Sequence, residues 1–159
     1  MIEQRFLTVA EELCRRTGRR PREAFMRRAA STAYYAVFHA LCRLCADELI
    51  GGSRAKTVAW GRVYRAVEHQ GAKKTLLSNE ATAIGPAVAS FGRAFASLQE
   101  ARHDADYNPV FFRYFFDETQ ALVERARQAI QDLYGMSSDN RQALATLVLF
   151  KARGSGAKP

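Results

Sequence analysis

Met26-Arg27-Arg28-Ala29-Ala30-Ser31-Thr32-Ala33-Tyr34-Tyr35-Ala36-Val37-Phe38-His39-Ala40-Leu41-Cys42-Arg43-Leu44-Cys45 decides the fold class. Met26, Ala30, Ala33, Tyr34, Val37, Phe38, Leu41, Leu44 and Cys45 recur every three or four positions, the period of a helix that turns one face to a core. Pro21 opens this helix, and Gly51-Gly52 stops it after Ile50. Beside the apolar face, Arg28, Ser31, Tyr35, His39 and Arg43 follow the same spacing and form a polar stripe. The stripe has two readings: a surface that holds a phosphate between arginines with Tyr35 and His39 nearby, or an exposed face whose tyrosine ring lies over the core edge. Amphipathicity on its own favours the second.

The same period recurs on both sides of this helix. Ile2, Phe6, Leu7, Ala10, Leu13 and Cys14 form the stripe of a first helix that Thr17-Gly18 ends. A third helix over residues 56–68 is expected to bury Trp60, Val63, Tyr64 and Val67, and the polar stretch from Gly71 to Thr82 reads as a loop with one extra turn. Gly85-Pro86 starts a fourth helix with Val88, Phe91, Phe95 and Leu98 inward, and Asn108-Pro109 starts a fifth with Phe112, Phe115, Phe116, Leu122, Val123, Ala126, Ile130 and Leu133. Gly135 ends the fifth. Ser138 or Asp139 caps a short sixth through Leu144, Leu147, Val148 and Phe150. The expectation is an all-α, antiparallel up-and-down bundle of five to six helices, one domain over residues 1–150 with a frayed tail over 151–159.

A chain of 159 residues can bury roughly 70% of its extended surface without disulfides or metals. Cys14, Cys42 and Cys45 are an odd number, and with no signal peptide or long apolar span they point to a reducing cytoplasm and no membrane-spanning role. Cys42-Arg-Leu-Cys45 has redox or zinc spacing, but it lies mid-helix with no second pair and reads as two small core residues. No metal and no cofactor are assigned. There is no phosphate-cradling G-x-x-x-x-G-K loop and no serine in a glycine-flanked nucleophile turn, so ordinary nucleotide hydrolysis and the familiar hydrolases are not supported.

Lys and Arg number 24 against 16 Asp and Glu, a net charge of +8, with Arg15, Arg16, Arg19, Arg20, Arg22, Arg27 and Arg28 crowded together. Arginine forks match phosphate oxygens, which points to RNA or DNA, while composition alone favours solvated helix flanks. The chemical centre is Ala101-Arg102-His103-Asp104-Ala105-Asp106-Tyr107-Asn108-Pro109, where one helix ends and the next begins. Arg102 can offset charge on a phosphorane while His103 or an acidic neighbour moves protons. An arginine paired with Asp104 or Asp106 can equally pin a helix end to its neighbour.

Arg27-Arg28-Ala29-Ala30-Ser31-Thr32-Ala33-Tyr34-Tyr35-Ala36-Val37-Phe38-His39, together with Glu100-Ala101-Arg102-His103-Asp104-Ala105-Asp106-Tyr107-Asn108-Pro109, resembles the HEPN superfamily (higher eukaryotes and prokaryotes nucleotide-binding). More narrowly, the pair of motifs resembles the bacterial and archaeal branch with an Arg-x-x-x-Asp-Tyr signature. The helix from Trp60 to His69 is similar as well, and the resemblance runs from about Ile2 to Tyr134. It implies a helical bundle that forms a homodimer, with the arginine-bearing helix ends near the dimer groove. It also implies either a metal-independent RNase of a toxin–antitoxin or defence system, or a non-catalytic module that binds RNA, a nucleotide or a partner such as a nucleotidyltransferase-type antitoxin.

On the first of these, Arg102 stabilises the transition state, His103 is acid or base, Asp106 orients a partner and Tyr107 hydrogen-bonds phosphate or ribose; Arg28, Tyr35, His39 and Arg43 bind the nucleic acid. The resemblance also implies a polar residue directly after the arginine, which His103 can supply, and a histidine after four to six intervening residues, but Tyr107 stands in the first such place and no histidine follows His103. Tyrosine, with an ordinary pKa near ~10, is a poor base at neutral pH, which leaves His103 or His39 for that role if folding brings them close.

Overall fold

The computed structural model describes residues 1–16, 22–109 and 113–150. Among them the chain is all-helical: α1 (Ile2–Arg15), α2 (Arg22–Ile50), a short 3₁₀ turn (Gly52–Arg54), α3 (Val58–Ala66), α4 (His69–Leu76), α5 (Asn79–Ile84), α6 (Pro86–Tyr107), α7 (Phe116–Gly135) and α8 (Ser138–Leu149). These eight α-helices exceed the five to six expected. The helix boundaries expected at Thr17-Gly18 and Pro21, the core role of Phe112, the arginines Arg19 and Arg20 and the tail over 151–159 lie outside the described residues.

α2 is the centre of the bundle and packs against α1, α3, α6, α7 and α8. Its alanines at 29, 30, 33, 36 and 40 are fully buried, and short side chains on several sides let neighbouring helices approach. Paired residues run in opposite order along adjacent helices: Glu3 meets Arg43 and Phe6 stacks on His39 between α1 and α2, while Arg27 meets Ala105 and Tyr34 meets Phe95 between α2 and α6. α1 and α7 pair Glu3 with Tyr134 and Glu11 with Arg127 in the same antiparallel sense. Gly51, at φ 101°, takes a conformation that L side chains rarely adopt and ends α2 as the sequence indicated.

The stretch read as a loop folds as α4 and α5. Each buries only one or two apolar side chains, Ala72 and Leu76 from α4 and Ala81 from α5, too sparse a pattern to show a period. Ser78 starts α5 by accepting a hydrogen bond from the Ala81 amide. α3 begins at Val58 behind a Thr57 cap and leaves Trp60, Val63 and Tyr64 half-buried, because it lies against α2 alone among its larger contacts.

α7 starts at Phe116, well after Pro109, and Phe115 and Phe116 are exposed instead of lining the core. Asn108 closes α6 instead of opening α7: its amide donates to the Asp104 carbonyl and its side chain to the Asp104 carboxylate. Ser137, not Ser138 or Asp139, caps α8, and Phe150 is exposed beyond its end. In α1 the inward register is Glu3, Leu7, Ala10 and Cys14, so Ile2 is 47% exposed while the Glu3 carboxylate is fully buried.

α6 crosses the end of α4 closely enough that a Cβ at Gly92 would lie 2.4 Å from the Leu76 carbonyl oxygen. Alanine normally gains about 1 kcal/mol over glycine inside a helix, but a backbone clash of this kind costs about 1–3 kcal/mol. Gly92→Ala is therefore expected to lower the urea midpoint. A raised midpoint would mean that α4 yields without cost.

Candidate functional site

The C-terminal end of α6 is held by one side chain from α2. Arg27 Nη1 donates to the carbonyls of Asp104 (3.3 Å), Ala105 (3.1 Å) and Asn108 (2.8 Å) at the end of α6, where partners within the helix run out, and a cation there also complements the helix dipole. Glu23 holds the other side of the Arg27 fork at 2.6 Å. Asp104 is engaged by Asn108 and by Arg113 Nε at 3.1 Å, so it is not the partner of Arg102.

Asp106 is that partner, one turn along the same helix. Its Oδ2 lies 2.8 Å from Arg102 Nε and accepts from Ser31 Oγ at 3.3 Å. The approach to Nε lies off the N–H direction, so the charges meet while the buried Nε has no formed hydrogen bond among the described residues. Arg102 Nη2 donates to Tyr35 Oη at 3.1 Å and to Tyr107 Oη at 3.4 Å. The guanidinium carbon also lies 5.7 Å and 5.2 Å from the two ring centroids, within cation–π range. Burial pulls the guanidinium pKa down, but Tyr35, Asp106 and Tyr107 more than offset this and hold it above the ordinary arginine value. With its side chain 23% exposed, Arg102 is a fixed positive charge that solvent still reaches.

Of the eight residues singled out in the sequence, the fold gathers Arg102, Asp106, Tyr107 and Tyr35 into this cluster. His103 is exposed on the adjacent turn, its ring centroid 5.2 Å from that of Tyr107. Arg28 is exposed on α2. His39 stacks on Phe6 and shares a 2.6 Å hydrogen bond with Tyr64, while Arg43 is engaged by Glu3 at 3.3 Å and Asp47 at 3.1 Å. The polar stripe of α2 is thus not one exposed face: Ser31 is buried and Tyr35, His39 and Arg43 are half-buried under neighbouring helices. Burial pushes the Cys42 and Cys45 thiols up, Cys45 to about 12, so neither is a thiolate at neutral pH.

Two residues that sequence reasoning passed over act on the cluster. Arg27 sits in the quoted motif, but its acceptors lie 77 to 81 residues away, and no local pattern marks them. His69, at the start of α4, stacks on Phe38 at 3.7 Å and lies edge-on to Tyr35, the phenol that receives Arg102. Its Nδ1 lies 2.7 Å from Tyr34 Oη. Burial pushes the Tyr34 phenol up, so it keeps its proton at neutral pH, and which of the two groups donates in this bond depends on the His69 tautomer. The bond takes up Nδ1 in either tautomer and leaves Nε2 as the other polar atom of the ring.

Burial, with repulsion from Arg102 and His39, holds the His69 pKa below its ordinary 6.5. The unfolded chain takes up that proton first as pH falls, so the stability from the neutral ring is complete above about 6.5 and is lost as pH falls through the folded value. His39, lowered chiefly by burial, acts in the same direction. The urea midpoint is expected to decline between about pH 6.5 and 5 at constant ionic strength, and less steeply in His69→Gln. Equal slopes would remove His69 from the account.

Comparison of the chain with protein-family models, with curated proteins and with solved structures found no match. Among the described residues no helix is long and apolar enough to cross a membrane.

Proposed function

We propose that the chain is a HEPN-type module that binds RNA or a nucleotide through a phosphate at the Arg102 end of α6. The observation that carries this reading is the state of Arg102: permanently charged, accessible, fixed by two tyrosines and opposed by a single carboxylate. A phosphate can take up Arg102 Nη1, for which no contact is formed among the described residues, Nε facing Asp106 and Nη2 the two tyrosines. The net charge of +8 adds long-range attraction for a polyanion. On the same reading the module forms a homodimer, works in the cytoplasm, and belongs to a toxin–antitoxin or defence system beside a nucleotidyltransferase-type partner.

Binding is preferred to cleavage because, among the described residues, no histidine is hydrogen-bonded into the Arg102 cluster: Nδ1 of His69 is taken up by Tyr34 Oη and Nδ1 of His39 by Tyr64 Oη. The second reading, a metal-independent RNase, draws on His103, whose exposed ring lies beside Tyr107 and is unencumbered by a tyrosine hydrogen bond. A mixed-sequence RNA followed by anisotropy as salt is raised, with cleavage monitored in EDTA, separates the two. Salt-sensitive binding without cleavage supports the module. Cleavage lost in Arg102→Ala replaces it with the nuclease, and no binding at low salt overturns both.

A further inference from the structure

A second concavity, of about 430 Å³, runs between α6 and α7 away from the Arg102 cluster. α6 contributes Ser90, Arg93 and Ser97, and α7 contributes Arg125, Gln128 and Asp132. Arg93 lies nine residues before Arg102, about two and a half helical turns, which places the two arginines on opposite sides of α6. Arg125 Nη1 donates to Ser97 Oγ at 2.5 Å, leaving the Ser97 hydroxyl proton to face another acceptor.

Most arginines with formed contacts in this protein meet carboxylates: Arg15 with Glu12, Arg27 with Glu23, Arg113 with Asp104, Arg127 with Glu11 and Arg141 with Glu48. Arg93 and Arg125 have no carboxylate within ion-pair distance among the described residues, although both line one groove. The acid in the lining, Asp132, accepts a hydrogen bond from Gln128 at 2.8 Å. The lining thus carries two cations against one acid, with hydroxyl donors on the same wall. Both arginines are exposed on the groove's walls, so an anion entering it meets two positive charges and the serine hydroxyls of α6.

We propose that the α6–α7 groove is a binding site for a phosphate-bearing anion, with Arg93 and Arg125 as the charged clamp and Ser97 as a neutral donor between them. The two sources of such a group are the backbone of a single-stranded RNA and a free polyphosphate. This site stands independently of the Arg102 reading, since it lies on the other side of α6 and shares no residue with it.

The test uses the full chain, with tripolyphosphate followed by calorimetry and mixed-sequence single-stranded RNA followed by anisotropy across a salt series. Arg93→Ala/Arg125→Ala is compared with Arg54→Ala/Arg62→Ala, which removes the same charge from exposed positions outside the groove. If RNA is the occupant, the groove variant loses about 1.4 from the slope of log affinity against log salt, two contacts at ~0.7 each, and the control keeps its slope. If a free polyphosphate is the occupant, tripolyphosphate binding is lost in the groove variant and kept in the control. Ser97→Ala, which alters no charge, weakens whichever ligand binds by several-fold, and a net-charge effect would not move it. Unchanged RNA slope together with no groove-dependent tripolyphosphate binding overturns the proposal. Arg102→Ala in the same assays reports on the other site: loss there with an unaffected groove variant leaves the Arg102 reading standing and removes this one.

Discussion

Arg102→Ala is expected to weaken RNA binding by about 10- to 100-fold at low salt, the ~1.5–3 kcal/mol of a charge-assisted hydrogen bond to phosphate. The salt dependence becomes shallower at the same time, since one phosphate contact is lost. Stability should change little, because the pair with Asp106 is a same-helix contact at the edge of solvent and such pairs contribute about 0–1 kcal/mol. Arg102→Lys keeps the charge but not the planar fork and falls between wild type and alanine. Asp106→Asn is the sharper variant: it removes the carboxylate with which a phosphate must compete and is expected to strengthen binding. Unchanged affinity in both Arg102→Ala and Asp106→Asn would remove this helix end from RNA recognition.

Arg43→Ala is expected to cost about 3–5 kcal/mol of folding stability, a drop in melting temperature on the order of 10 °C for a chain of this size. The Glu3 carboxylate that Arg43 faces is fully buried; its Oε1 accepts from Arg43 Nη1 and from Tyr134 Oη at 3.2 Å, and its Oε2 has no hydrogen-bond partner among the described residues. Removing Arg43 leaves a buried negative charge supported by one phenol. Glu3→Gln in the Arg43→Ala background is expected to recover much of the loss, since the charge without a counter-ion is then gone. RNA affinity per folded molecule should stay near wild type, because Arg43 is spent inside the fold. A midpoint within about 1 kcal/mol of wild type, measured in urea, would contradict this account.

Arg43 illustrates where sequence reading stops. On α2 it shares a polar stripe with Tyr35, and spacing alone treats the two alike. Tyr35 meets Arg102 from 67 residues away, whereas Arg43 meets Glu3 from 40 residues away on another helix. The stripe was legible; its division between site and interior was not. α6 shows the opposite case, since Gly85-Pro86 marks its start and the sequence narrows the partner of Arg102 to Asp104 or Asp106, of which the fold takes the second. The start of α7 was misplaced because Asn108 and Pro109 carry the chemistry of a helix start, yet Asn108 spends its side chain on Asp104 to close α6.

Helical periodicity, glycine stops and i,i+4 pairs act over a few residues, so the all-helical character, the long α2 and the position of Arg102 at a helix end could be read from the chain alone. Which carboxylate is buried, which arginine is used up and which histidine stands beside Arg102 depend on contacts such as Glu3 with Tyr134, 131 residues apart. Burial and pairing of charge are properties of the assembled helices: the cost of taking a charged group out of water is offset only when packing brings its partner to it.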